Sequence, residues 1–304
     1  VLMLDARNVY RKVTRKIYDF NPEQLVNLTS IIWLYRGETE RFIELLRSHI
    51  QNTLDHAWYA FSIDYEKDGE ELEYQPIAEC ITVLKEIEKA ITPFYQQQDK
   101  TQQAHLQEFN ETLATIKIDS EKFEAAVDTA TDKWGKNSFN NSKKLGSLIE
   151  KDGMIEHLAE SSRDFIQQLD LTCKLATRLI FTAEQELNAK DAENWDSKSL
   201  SSGKDSFKKQ AEATRADAVE ELKLVRYFYK HANWLLHRFP DAKLVDVEGL
   251  VKLVDVKEIE MNGWSLTPGR YVGVAPEEVD EDFDFEDSLR DIHIELQGLN
   301  EEAV

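Results

Sequence analysis

Five cations, Arg7, Arg11, Lys12, Arg15 and Lys16, fall between Ala6 and Tyr18 without an intervening acid. Read as a helix, this stretch sets Arg7, Arg11 and Arg15 on one face at i, i+4 spacing. Such a stripe suits phosphate contact, because each neutralised phosphate releases counterions. The other reading is that these residues pair with carboxylates of the same protein, since 58 Asp and Glu against 37 Lys and Arg leave a net charge of −21. A surface of that sign repels polyanions, so any nucleic-acid contact has to be local. The sequence contains no P-loop, G-x-G-x-x-G, H-E-x-x-H, C-x-x-C or G-x-S-x-G motif, and none of its 7 histidines has another four residues away. Asp280, Asp282 and Asp284 have calcium-loop spacing, but Phe285 stands where that loop needs glycine and Asp291 where it needs a bidentate glutamate. No metal or cofactor site is expected. The 2 cysteines, Cys80 and Cys173, lie far apart within apolar helical patterns and read as neither a disulfide framework nor a metal quartet, in keeping with a reducing compartment.

The elements that would position these groups are mostly helical. Gly and Pro number only 11 and 6 in 304 residues, too few for a turn-rich sandwich or barrel. Val1 to Leu4 is an apolar run that reads as a strand buried on both faces of a parallel sheet, its partner expected outside this chain. Asn21-Pro22-Glu23-Gln24 supplies an N-cap, a first-turn proline and a capping-box residue, and Gly37 a plausible end to the helix that follows. Phe42 to Phe61 continues at helical spacing, a polar loop is expected over Asp64 to Glu73, and the helix after it is expected to stop near Pro93. A further helix is expected from Tyr95 to Ile116, with shorter ones over Glu121 to Trp134 and Asn141 to Glu150. Trp33, Trp58 and Trp234 fall on or beside apolar faces and read as core residues.

Two long seams carry the clearest pattern. Ile155, Leu158, Ser162, Phe165, Leu169, Thr172, Ala176, Leu179, Ala183 and Leu187 make one, and Phe207 to Phe239 repeats it after a polar connector, so residues 155–239 read as an antiparallel helical hairpin. Short strands and turns are expected over 241–276. An acidic linker then leads to Phe285, Leu289, Ile292, Leu296, Leu299 and Ala303, spaced 4, 3, 4, 3, 4. That alternation is a coiled-coil seam, suited to docking on partner helices or to folding back as an amphipathic helix on its own domain. No apolar run reaches the ~20 residues of a membrane span, so no membrane association and a cytoplasmic location are expected.

Two stretches together carry a family resemblance. Val1 to Arg7, with Phe20-Asn-Pro-Glu-Gln-Leu25 and Leu34-Tyr-Arg-Gly37, resembles the end of the methyltransferase domain in modification subunits of type I restriction-modification systems. Asn262-Gly263-Trp-Ser-Leu-Thr-Pro268-Gly-Arg270-Tyr271-Val-Gly273, with its acidic linker and heptad tail, is similar to the segment after that domain. The resemblance implies an N6-adenine DNA methyltransferase that uses S-adenosylmethionine. It implies as partners a second modification subunit, a specificity subunit, a restriction subunit in the full complex, and double-stranded DNA. The family's cofactor loop and its Asn-Pro-Pro-aromatic motif have no counterpart here, so this chain corresponds to a non-catalytic C-terminal portion that holds no cofactor itself.

The expected architecture is therefore mainly α, a long antiparallel hairpin and bundle with a small irregular or β segment and no complete methyltransferase α/β domain. Residues 1–37 would end the methyltransferase domain, 38–240 form a helical insertion, 241–276 a strand and turn segment, and 277–304 the linker and tail helix. The competing reading is a self-contained helical scaffold without enzymatic activity.

Overall fold

Asn21 opens the first long helix as its spacing requires: its side chain accepts from the Gln24 N–H at 2.7 Å, and Gln24 Oε1 accepts from the Asn21 N–H at 3.0 Å. The computed structural model describes residues 1–12, 17–67 and 69–275, together with Leu289. In chain order its elements are β1 (Leu2–Leu4), β2 (Arg11–Lys12), β3 (Tyr18–Asp19), α1 (Pro22–Tyr35), α2 (Thr39–Tyr59), β4 (Ile63–Lys67), β5 (Glu70–Tyr74) and α3 (Pro76–Tyr95). They continue with α4 (Lys100–Lys136), α5 (Ser142–Ile149), α6 (Met154–Gln185), α7 (Phe207–Arg238), β6 (Val251–Leu253) and α8 (Val256–Met261). The fold is mainly α, with strands only in antiparallel pairs. No helix among the described residues is long and apolar enough to cross a membrane.

The chain divides into two compact units. The first comprises Val1–Leu46, Asn141–Lys143 and Asn233–Val304. Its helical part buries Leu28, Ile31 and Leu34 of α1, Phe42 of α2, and Leu235, Leu236 and Phe239, with the Phe42 and Phe239 rings edge to face at 6.2 Å. Its second core consists of Met3, Val254, Ile259, Tyr271 and Val272. The opening apolar run is a strand, but not one in a parallel sheet: β1 pairs antiparallel with β6 of this same chain, Leu2 opposite Leu253 and Leu4 opposite Val251. Only its middle residue, Met3, is fully buried, so β1 has one core face rather than two. A four-residue apolar run does not distinguish these cases, because face and partner depend on what packs against it.

The second unit comprises Arg47–Asn140 and Lys144–Ala232. Leu106, Phe109, Leu113, Ile116, Ser120, Phe123, Val127 and Ala130 form one buried seam along α4, which runs unbroken for 37 residues, about 55 Å at 1.5 Å per residue. The sequence reading split this helix after Ile116, misled by polar Ser120 at a seam position. Seams alternating three and four residues let α4 and α6 pack side by side, with Phe123 stacked on Phe165 at 6.2 Å. The α6 seam is buried from Ile155 to Ala183, its Ser162 and Thr172 hydroxyls donating to carbonyls of their own helix at 2.8 and 2.7 Å, whereas Leu187, expected on the same line, lies past the helix end and is half-buried. Arg215 to Asp170 at 2.6 Å and Arg226 to Glu160 at 2.9 Å join α7 to α6 in antiparallel order. Polar contacts also join α7 to its other neighbours: the Tyr74 hydroxyl donates to Asp217 at 2.6 Å, and His56 Nδ1 meets Glu221 at 2.7 Å. The segment expected as a polar loop is the β4–β5 hairpin, which turns through Gly69 at φ +85°; Ile63 and Tyr65 pair with Tyr74 and Leu72 on one face and alternate with carboxylates, a short period of two hidden by the many acids.

Candidate functional site

The two sequence stretches that carry the resemblance meet in the first unit. Beyond the β1–β6 pairing, the Asp5 N–H donates to the Leu250 carbonyl at 2.8 Å, which carries the ladder one residue further. The Asp5 side chain is only 8% exposed yet ionised, and Arg7 explains how. Arg7 Nε lies 2.9 Å from both carboxylate oxygens, Nη2 donates to Oδ2 at 2.6 Å, and the Arg7 backbone N–H donates to Oδ1 at 3.1 Å. These hydrogen bonds hold the Asp5 carboxyl below its ordinary range, against the opposing effect of burial.

Gly269 completes the arrangement. It sits in the 3₁₀ turn Pro268–Arg270, where a Cβ would fall 2.2 Å from Arg7 Nη2 and 3.1 Å from Asp5 Oδ2, so the turn lies directly against the ion pair and a side chain there would push the Arg7 guanidinium aside. The rest of the motif is mostly structural. Asn262 and Gly263 end α8, with the Asn262 amide donating to the Glu258 carbonyl at 2.9 Å and Gly263 at φ +66°. Tyr271 is buried in the Met3 core and its hydroxyl donates to the Ser265 carbonyl, while Gly273 turns the chain at φ +77°. Arg270 and Trp264 are exposed, Trp264 by 63%. Arg7, although paired, is itself 76% exposed and has N–H donors left over for a further acceptor.

The basic stripe is not a helix face. Arg11 and Lys12 form β2, opposite Asp19 and Tyr18 of β3, with the Tyr10 and Tyr18 rings edge to face at 4.9 Å. Val9, Tyr10, Ile17 and Tyr18 are β-branched or aromatic and favour strands, a preference that outweighs the cation spacing. The i, i+4 alignment of Arg7 with Arg11 is thereby lost. Arg15 and Lys16 lie outside the described residues, as do Phe285, Ile292, Leu296 and Leu299 of the tail; Leu289 is 47% exposed. Trp58, expected in the core, is 43% exposed, because it lies one position off the buried line Leu54, Ala57 of α2.

One feature of the second unit was not visible in the sequence. A cleft of about 310 Å³ lies where α4 passes α6, with His105, Arg178 and Glu186 among its charged or polar walls. Tyr95, whose hydroxyl donates to the Leu179 carbonyl at 2.7 Å, lines its floor and is pushed up to about 12 by burial. Among the described residues no three His, Cys, Asp or Glu side chains are grouped to hold a metal ion. No family model, curated protein or solved structure matches this chain.

The Asp5–Arg7 pair gives a testable pH dependence. The folded-state pKa of Asp5 is depressed, so its contribution is present above the unfolded carboxyl value near 3.8 and disappears as pH falls through the folded value. Arg7→Met is expected to lower the urea midpoint at pH 7 and to differ less and less from the parent below pH 4. A deficit equally large at pH 3 and pH 7 would mean the ion pair is not what Arg7 contributes.

Proposed function

We propose that this chain is the non-catalytic C-terminal part of the modification subunit of a type I restriction-modification system, a protein that in its intact form methylates adenine N6 of DNA from S-adenosylmethionine. The observation that carries the proposal is the junction just described. The two stretches that resemble the family, more than 200 residues apart in the chain, form one unit in which Asp5, Arg7 and Gly269 fit together. An accidental likeness gives no reason for the matched residues of one stretch to pack against the matched turn of the other. In this reading the first unit continues the methyltransferase domain and the second is a helical insertion. The tail seam Leu289, Ile292, Leu296, Leu299 docks on helices of the specificity subunit, with apolar burial at about 25 cal/mol per Å² as the driving force. Arg7, 76% exposed although paired with Asp5, keeps N–H donors open to a DNA phosphate.

One observation favours a self-contained scaffold: β1 finds its pairing partner within this chain. Co-expression with the specificity subunit distinguishes the two. Ile292, in the middle of the seam, is the position where a charge is costliest, so Ile292→Asp is expected to abolish co-purification while leaving the circular dichroism spectrum unchanged. Undiminished complex formation would remove the docking assignment. The reading frame continued upstream is expected to encode an Asn-Pro-Pro-aromatic motif and a glycine-rich cofactor loop, and a frame without them would remove the methyltransferase.

A further inference from the structure

Leu175, Arg178, Thr182 and Glu186 are spaced 3, 4 and 4 along α6 and its C-cap, so they form a single stripe on one wall of the cleft in the second unit. Gln102, His105 and Glu108, from the first turns of α4, form the facing wall. Apolar groups complete it: Leu179 and Tyr95 are buried beneath, and the Phe181 ring stands at the rim, 60% exposed. Three charges line this cavity of about 310 Å³ without neutralising one another. Among the described residues Arg178 forms no ion pair, and neither does Glu108 or Glu186. Arg178 and Glu186 start about 12 Å apart along the helix at 1.5 Å per residue, so opposite charges stand at two ends of one cavity. The wall also carries an unmet acceptor. The Gln102 N–H donates to Asp99 Oδ1 at 3.0 Å, yet Gln102 Oε1 is buried and accepts no hydrogen bond. Water satisfies exposed charges, but a buried acceptor without a donor is a cost that folded proteins seldom carry. A donor brought into the cleft removes it.

We propose that this cleft binds a short apolar peptide with free ends, about two or three residues long. The peptide carboxylate takes the Arg178 guanidinium, whose planar fork matches both oxygens. The peptide ammonium goes to Glu186, and a backbone N–H between the two ends donates to Gln102 Oε1. An extended chain covers about 3.4 Å per residue, so two or three residues bridge the separation left once the Arg178 and Glu186 side chains reach inwards. Apolar side chains of the peptide lie on Leu175, Leu179 and Phe181, which takes the exposed Phe181 ring out of water. A free amino acid carries both charges too, but they are too close together to meet both ends of the cleft. A ligand with a single charge leaves Arg178 or the glutamates unused, and the chain's net charge of −21 repels an anion that brings no ammonium. The site lies wholly in the second unit and does not depend on the methyltransferase reading.

The test is a titration of the isotope-labelled whole chain with leucyl-leucine, followed by amide chemical shifts. Saturable shifts are expected at Gln102, Arg178, Thr182 and Glu186, with a dissociation constant in the millimolar range or tighter. N-acetyl-leucyl-leucine lacks the ammonium, leucyl-leucinamide lacks the carboxylate, and leucine brings its charges too close together. Each should bind about fivefold more weakly, the scale of one exposed ion pair. Glu186→Gln should weaken leucyl-leucine about fivefold and leave the acetylated peptide unchanged, whereas Arg178→Gln should weaken it similarly and leave the amide unchanged. Both side chains are exposed, so the circular dichroism spectra should match the parent. No saturable shift up to about 20 mM peptide, shifts confined to another surface, or equal affinity for free and blocked peptides would overturn the proposal. The peptide series on the unmutated chain decides this without either variant.

Discussion

Phe239→Ala is expected to destabilise the first unit by about 3–5 kcal/mol, the cost of deleting a fully buried aromatic side chain and leaving a cavity. Phe239 follows the last turn of α7, where its N–H donates to the Leu235 carbonyl at 2.9 Å, and its ring is wholly covered. Its edge-to-face contact with Phe42, at 6.2 Å and 89°, adds an orientation-dependent part that an aliphatic replacement does not restore. Phe239→Leu should therefore lose less than the alanine but more than nothing. Phe181→Ala is the matched control: that ring is 60% exposed, and its removal should change stability by no more than about 0.5 kcal/mol. Urea unfolding followed by tryptophan fluorescence compares the three. A Phe239→Ala cost below about 1 kcal/mol would mean the site collapses around the loss and is not a rigid part of the core.

Gly249→Ala should be nearly as damaging despite adding one methyl group. Gly249 has φ +74°, and its N–H donates to the Val272 carbonyl at 2.6 Å. A Cβ there would fall 2.3 Å from both the Cα and the backbone N of Ala275, so the added atom meets backbone that cannot rotate away. Left-handed geometry alone costs a non-glycine residue about 1–2 kcal/mol, and the clash must then be relieved by moving the Val272–Ala275 strand off its partner. We expect about 2–4 kcal/mol in total, the upper half of the range for single substitutions. Gly37 shows which contribution dominates: its φ is +78°, but a Cβ there would meet nothing within 4 Å. Gly37→Ala should cost only about 1 kcal/mol. Thermal melts of both variants separate backbone strain from close approach, and equal losses would show the approach to Ala275 contributes nothing. Hydrogen exchange at the Asp5 amide, which bonds to Leu250, should quicken in Gly249→Ala alone.

Much of the helical framework was legible because its signals are local. The Asn21 to Gln24 capping box needs only four residues, and the α6 seam repeats often enough for its period to be unmistakable. Where the pattern weakened, the reading failed in both directions. Ser120 broke α4 on paper but not in the bundle, since a small hydroxyl fits a seam position. The cations from Arg7 to Lys16 suggested a helix, although their uncharged neighbours favour the β2–β3 hairpin. The acidic β4–β5 hairpin half-buries only Ile63, Leu72 and Tyr74, and so brief a period of two was lost among the carboxylates.

The candidate site depended on distance along the chain. The matched motifs were readable one at a time, but not that Asp5 and Arg7 would lie on Gly269. By itself the sequence determined the mainly helical class, the caps, the long seams and the acidic surface, because each follows from residue type and spacing within a few turns. Only the tertiary structure decided that β1 joins β6 and that the Pro268–Arg270 turn lies on the Asp5–Arg7 pair. Those outcomes depend on contacts between residues far apart in the chain, and no local spacing encodes them.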